Sequence, residues 1–265
     1  MRTFLGGVAG AATHALFGVT VWYLFWFLKG DAPQLNTGIG NLPLNAVLSI
    51  AYGAIHSTLL HRNVREPLTR WISAPFYGLF FCIVTSVTLL GLIAGWTTGA
   101  TIWWEATGLA RLLITGAWYA SWGFLFYSLW LAGMGYQTGA TPWWHWLRGK
   151  PQPRRPFDPR GSFLWIRHPV YLGFLGLIWF TPVMTADRAI LVATWTVYVF
   201  IGSWLKDGRL LYYIGEPYRM YQAQISGYPA MFFGPLGRRP LQSATAAVAT
   251  GKRRHVADAA SIGVP

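Results

Sequence analysis

Acidic residues are scarce in this chain: eight Asp and Glu stand against 21 Lys and Arg in 265 residues, and the charged types together make only 11% of it. A soluble domain carries about a quarter charged residues, so that class is excluded. Cysteine is scarcer still. Cys82 is alone, which rules out an intramolecular disulfide, and it lies in an apolar block, where a single thiol acts as a small core hydrophobe. No Cys-x-x-Cys, Walker loop or Gly-x-Gly-x-x-Gly fingerprint occurs. His145 stands among tryptophans without the three or four convergent ligands a metal site wants, and no metal is expected.

What the chain has instead is apolar: 54% hydrophobic and 17% aromatic residues, gathered in long uninterrupted blocks. These run from Phe4 to Leu28 and over roughly 44–60, 75–97, 109–132, 170–184 and 188–205. The expectation is an all-α, polytopic membrane helix bundle of about six transmembrane helices with a cytoplasmic C-terminal region. The last two blocks are short for a bilayer core of about 30 Å, which allows a tilted or shallow hairpin there. Met1 to Leu28 lacks the polar cleavage region of a secretory signal and reads as a retained span.

The net charge of +13 would suggest nucleic acid in a soluble protein, but here the charges sort by side. The N-terminus and the segments after the second, fourth and sixth blocks hold eighteen Lys and Arg, while the three intervening connections hold only Lys29, Arg111 and Arg188. By the positive-inside rule both termini lie in the cytoplasm, giving a protein of the bacterial inner membrane with lipids as partners and no nucleic acid. Residues 62–73 alternate basic and apolar residues as a surface-lying connector, and Arg148, Lys150, Arg154 and Arg155 face anionic lipid beside the Trp143–Trp146 cluster. Sixteen Trp supply interfacial belts, wall a lipid-facing surface, or form a cage for a cation. His14 reads as a packed histidine bonded across helices. His56 reads either as a packing residue or as part of a site. Residues 1–236 form the membrane domain, and 237–265 a disordered basic tail.

The densest polar chemistry lies between Arg167 and Tyr221. Ionisable groups at membrane depth are expensive, so a cluster of Arg, His and Tyr beside an apolar hairpin marks a site. Arg167 and His168 precede Pro169, which suits a helix's first turn, so free backbone donors and two polar side chains converge where an anion belongs. Tyr218 and Tyr221, three residues apart, share a helix face that could fold back over Tyr171.

Arg167-His168-Pro169-Val170-Tyr171-Leu172-Gly173, a hydrophobic hairpin, and Gly215-Glu216-Pro217-Tyr218-Arg219-Met220-Tyr221 together resemble the C-terminal signature of integral membrane methyltransferases. These include isoprenylcysteine carboxyl methyltransferase, the bacterial methanethiol S-methyltransferases and NnrU-like proteins. The likeness is nearest to the methanethiol enzymes and extends to His56-Ser57 and to Phe180–Thr185, covering roughly residues 45–225. It implies S-adenosylmethionine as cofactor, held by Arg167, His168, Tyr171, Gly215, Tyr218 and Tyr221. It also implies methyl transfer to a thiol or another small or lipophilic acceptor, with His168 or His56 taking its proton. Two stretches depart from the pattern. Lys206-Asp207-Gly208-Arg209 stands where relatives carry a Glu-Glu pair, and Leu129-Trp130-Leu131 where the methanethiol branch has a polar stretch. The departures keep a second expectation open: a catalytically degenerate relative serving as a subunit of a larger membrane complex.

Overall fold

The computed structural model describes residues 2–30, 41–99, 101–152 and 156–240. Most of the tail expected over 237–265 therefore lies outside the described residues. The chain is mostly helical. Each apolar block falls on a helix: α1 (Arg2–Lys29), α2 (Leu42–Leu60), α4 (Ala74–Gly95), α5 (Gly108–Leu131), α8 (Pro169–Trp179) and α9 (Ala186–Ile214). Short helices α3 (Arg62–Leu68), α6 (Met134–Gln137), α7 (Ala140–Leu147) and α10 (Glu216–Gln224) occupy the polar connections. The spans Thr3–Lys29, Ala74–Gly95 and Ala186–Ile214 are long and apolar enough to cross a membrane. This is an integral membrane protein.

Proline at the first helical positions starts α2, α4, α8 and α10, where its missing N–H costs nothing. The Asn41 side chain adds a cap by accepting from Leu44 N at 2.9 Å. Inside the helices, Thr13, Thr20, Thr88, Thr194 and Ser203 return their hydroxyls to the carbonyl four residues back, which satisfies them without water. His14 does the same through Nδ1 to Gly10 O at 2.7 Å, within its own helix rather than across helices as expected.

The hairpin departs from its expected bounds. The fifth block ends as a helix at Trp179, only 11 residues long, and the sixth is the front of a 29-residue helix running on to Ile214. At 1.5 Å per residue, α8 is only about 16 Å long. The polar, tyrosine-rich stretch over 206–226, expected as a helix interrupted near Gly215 and Pro217, breaks at Gly215, whose φ of +74 stops α9 and starts α10. Two short strands were not foreseen: β1 (Ile102–Glu105) pairs antiparallel with β2 (Val183–Thr185), Trp104 facing Met184. The ribbon ties the α4–α5 connection to the α8–α9 turn.

Close packing is set by small residues. A Cβ on Gly173 would meet the Leu125 backbone at 3.0 Å, and one on Gly176 would meet Ser121 Oγ at 2.2 Å, so α8 lies directly on α5. A Cβ on Gly6 or Gly10 would strike Trp146 or Trp143, and Trp143 Nε1 donates to Gly6 O at 2.8 Å. The Trp-rich α7 is thereby held against α1. Trp96, Trp118, Trp122 and Trp195 belong to the main core with Leu24, Leu28, Leu92 and Leu177, so the tryptophans do more than form belts.

Candidate functional site

Arg167 lies just before α8 and is 2% exposed. Its Nη2 donates to Asp207 Oδ2 at 2.9 Å and to Leu236 O at 3.3 Å. Its Nη1 donates to Gly237 O at 3.0 Å, to Gln222 O at 3.3 Å and to Ile225 O. The fork geometry of a guanidinium suits this task, since one group closes α9, α10 and residues 225–237 around itself. Backbone bonds reinforce the closure, from Arg167 N to Ser226 O at 2.8 Å and from His168 N to Gly227 O at 3.2 Å.

Asp207, late in α9, is the hub. Beside its pair with Arg167, its Oδ1 accepts from Tyr218 OH at 2.5 Å and lies 3.1 Å from His168 Nε2. The last contact is close in distance but not aligned as a hydrogen bond, and both ring nitrogens of the fully buried His168 lack an aligned partner. Burial pushes the His168 pKa below its ordinary value against the pull of Asp207, so the imidazole is neutral at neutral pH. Burial and the Asp207 charge push the Tyr218 phenol above its ordinary value, so it remains a donor. Arg167 Nε and Gln222 Nε2 are likewise buried and unmet. Each unmet buried polar group costs about 1–3 kcal/mol, so the cluster is costly as it stands and suited to a polar ligand.

Rings surround the hub. His168 is flanked by Tyr171 at 5.7 Å and Tyr228 at 5.6 Å, and Tyr228 OH meets Ser203 Oγ at 2.5 Å. Tyr221 turns outward from Asp207 and donates to Phe163 O at 2.5 Å. Gly215 makes the turn that brings Tyr218 back under α9, with Tyr218 N bonded to Gly215 O at 3.1 Å.

A second cluster lies on the neighbouring face of α9, against α2. His56 Nδ1 and Tyr198 OH are 2.6 Å apart, with the His56 ring boxed by Phe81 at 5.1 Å and Tyr52 at 6.0 Å. Tyr171 stacks on His168, and Lys206 Nζ stands 5.1 Å from the centre of its ring. Here the groups are half-buried rather than sealed.

Of the residues expected to bind cofactor, Arg167, His168, Tyr171 and Tyr218 come together, Gly215 shapes the backbone, and Tyr221 stands at the rim. His56 belongs to the second cluster. The Arg167 Nη groups are spent inside the protein, because the Ile225, Leu236 and Gly237 carbonyls return to them. Sequence reasoning passed over Tyr198, Ser203, Gln222 and Tyr228. Spacing along α9 carries a signal for one of them, Ser203, since Val199, Ser203 and Asp207 recur every four residues on one buried face. Trp130, within the divergent Leu129-Trp130-Leu131 stretch, is 67% exposed, whereas Leu129 packs on the core.

A helical membrane protein whose Arg-His-Pro and Gly-x-x-Tyr segments meet at one carboxylate has the organisation that the methyltransferase resemblance implies. The relatives agree. The chain is 28% identical to Methanethiol S-methyltransferase 1 of Bradyrhizobium diazoefficiens, over 84% of this chain and 81% of that protein. It is 26% identical to Methanethiol S-methyltransferase of Mycobacterium tuberculosis, over 85% and 96%, and 27% identical to that of a Pseudomonas species, over 84% and 90%. These relatives bear out the likeness to the integral membrane methyltransferases. No family model matches the chain, and no solved structure does.

Proposed function

We propose that this protein is an S-adenosylmethionine-dependent membrane methyltransferase acting on a thiol or another small or lipophilic acceptor, as the methanethiol S-methyltransferases do by name. The observation that carries this reading is the convergence of Arg167, His168 and Tyr218, from the two ends of the signature, on Asp207. The residues suit such a cofactor. Unmet polar atoms of His168, Arg167 and Gln222 offer bonds to its polar groups, and the Tyr171 and Tyr228 faces favour a cation.

When bound, the cofactor supplies an electrophilic methyl on a sulfonium centre. The chain supplies alignment, which can remove about 7–11 kcal/mol of barrier when both partners sit in near-attack geometry. Arg167 and Asp207 fix the cap over α8 and α9. His168, sealed and beside Asp207, holds its neutral ring against Tyr171. His56 is the better-placed proton acceptor of the two histidines, because it is less fully buried than His168 and its Nδ1 is engaged by Tyr198, leaving Nε2 for the acceptor. The test is calorimetric binding of S-adenosylmethionine to purified protein, together with labelled methyl transfer to a panel of thiols and prenylcysteines. Binding with transfer to any acceptor supports the reading; absence of binding overturns it.

The exposed Trp130 favours the other reading, of a subunit that packs on neighbours, in one respect: an acceptor pocket would enclose that ring. Stoichiometric co-purification in a complex without cofactor binding would establish it. The membrane topology belongs to the same proposal: six passes, both termini in the cytoplasm, in the bacterial inner membrane. A cysteine at Lys29 labels from outside intact cells, and one at Arg154 does not; the opposite pattern inverts the topology.

A further inference from the structure

The segment that grips Arg167 has a second property. Residues 225–237, Ile-Ser-Gly-Tyr-Pro-Ala-Met-Phe-Phe-Gly-Pro-Leu-Gly, hold no charged side chain and end at the pair Arg238-Arg239. Far from leading into solvent, they run along the apolar parts of two helices. Tyr228 and Leu236 are buried with Val199, and Leu172, Leu175, Phe200 and Met231 pack around them. The Tyr228 ring lies 5.1 Å from Phe200. Val199 precedes Asp207 by two helical turns, and Leu175 lies nearly two turns into α8, so contact extends about 9–12 Å from the polar cluster toward the bundle's middle.

The backbone is closed on itself, as irregular chain at that depth requires. Gly227 N donates to Leu236 O at 2.7 Å, Met231 N to Tyr228 O at 3.4 Å and Gly237 N to Gly234 O at 3.1 Å. Ala230, with φ of +59, is the one non-glycine residue in the left-handed region among the described residues, and it makes the turn that throws the next residues outward. At the tip Phe232 is 57% exposed and Phe233 89%. In water those rings would be two adjacent unsheltered aromatics. Elsewhere on its surface, α9 exposes Val197, Ile201 and Trp204, as a lipid-facing helix does.

We propose that residues 225–237 form a re-entrant membrane loop, with Phe232 and Phe233 inserted among the acyl chains of the leaflet next to the basic segments. Arg238 and Arg239 return the chain to the headgroups, where long cationic side chains snorkel. The loop's own carbonyls at Ile225, Leu236 and Gly237 hold Arg167, so the bilayer helps to seat the polar cluster. The inference stands whether or not that cluster binds a methyl donor.

The experiment uses full-length protein with Cys82→Ser, the chain's only cysteine removed, and Phe233→Cys labelled with an environment-sensitive fluorophore. Reconstitution is into phosphatidylcholine vesicles containing phosphatidylglycerol. Lipids spin-labelled on the acyl chain should quench the label several-fold more than they quench one at Arg219→Cys on α10, while aqueous iodide should show the reverse order. Equal iodide quenching at both positions overturns the loop's insertion. Protection from both quenchers overturns it too, since the tip would then rest on another protein surface. Phe232→Cys repeats the measurement should the first variant fold poorly, and the same outcomes apply.

Discussion

Two buried carboxylates sit on the same helix, near opposite ends of α9, and their surroundings differ. Asp187, 2% exposed, accepts from Trp96 Nε1 at 3.1 Å and from Gly99 N at 3.2 Å, both uncharged donors. Its neighbour Arg188 donates to the end of α1, at Leu28 O (2.7 Å) and Phe27 O (3.0 Å). A little farther along the same face of the bundle, Asn45 and Thr97 exchange bonds of 2.7 and 3.0 Å. No side-chain atom of Asp187, Arg188 or Asn45 is a buried atom without a partner. Asp207 is fully buried as well, yet it is met by one cation, one phenol and one misaligned imidazole, and three residues around it carry unmet polar atoms. The first end is a fastening. The second keeps a cluster of unmet buried polar groups around one carboxylate, each of which costs stability, and this is the set the proposed cofactor would use.

The largest break in this comparison comes from Arg167→Ala. It leaves Asp207 buried without its cation and frees three carbonyls of the re-entrant segment. The expected loss is about 3–5 kcal/mol, seen in thermal unfolding in detergent, and cofactor binding is lost with the cap. A variant as stable as the parent would remove Arg167 from the framework. Next comes Tyr218→Phe, which removes one charge-assisted hydrogen bond, for about 1.5–3 kcal/mol, while the ring still packs. Asp187→Asn bears on the other end: an amide can accept only through its oxygen, so one of its two donors goes unmet, at about 1–3 kcal/mol. Cofactor affinity should be unchanged there, whereas Tyr218→Phe should lower both stability and affinity. An equal loss of affinity in Asp187→Asn would erase the distinction between the ends.

Acidification separates the ends by a smaller, graded effect. In the unfolded chain His168 takes a proton near pH 6.5. In the fold its pKa is depressed, chiefly by burial, so the unfolded state binds protons first. Its stabilising contribution is complete above about pH 6.5 and declines as the pH falls below that value. Parent protein should therefore lose stability between neutral pH and about 5 more steeply than His168→Gln does, as unfolding curves at several pH values would reveal. Identical slopes would exclude the histidine as their source.

Much of this contrast could be read from residue order, and the unread part has a physical cause. Helix positions followed from apolar blocks, because in lipid a hydrophobic run can do little but form a helix. Arg167, His168, Tyr171 and Tyr218 stood out because polar groups are rare in this chain. Asp207 was visible only as a departure inside Lys206-Asp207-Gly208-Arg209; its role as hub depends on Gly215 folding α10 back, and a φ of +74 is not written in composition. The ribbon between Ile102 and Thr185 joins segments some eighty residues apart, and neither strand is long enough to show alternation. Carbonyl partners are the least legible. Nothing in the sequence distinguishes the Leu236 oxygen, which meets Arg167, from that of any other leucine.

The smallest expected effect on stability concerns the half-open cluster between α2 and α9. Tyr198 OH is 2.6 Å from His56 Nδ1, and a Cβ on Gly53 would come within 2.9 Å of the Tyr198 ring, so the phenol is pressed into place from the α2 side. Tyr198→Phe keeps that packing and removes only the hydroxyl, a neutral contact of about 1 kcal/mol at a half-buried position. Stability should therefore barely move. If His56 takes the acceptor's proton, loss of the bond that orients its ring should lower kcat about tenfold with KM little changed, since alignment matters in the transition state more than in binding. His56→Gln should lower kcat further, by about a hundredfold or more, with S-adenosylmethionine affinity intact. A change confined to KM in both variants would recast the pair as part of the acceptor's binding surface, and a loss of cofactor affinity would merge the second cluster with the one around Asp207.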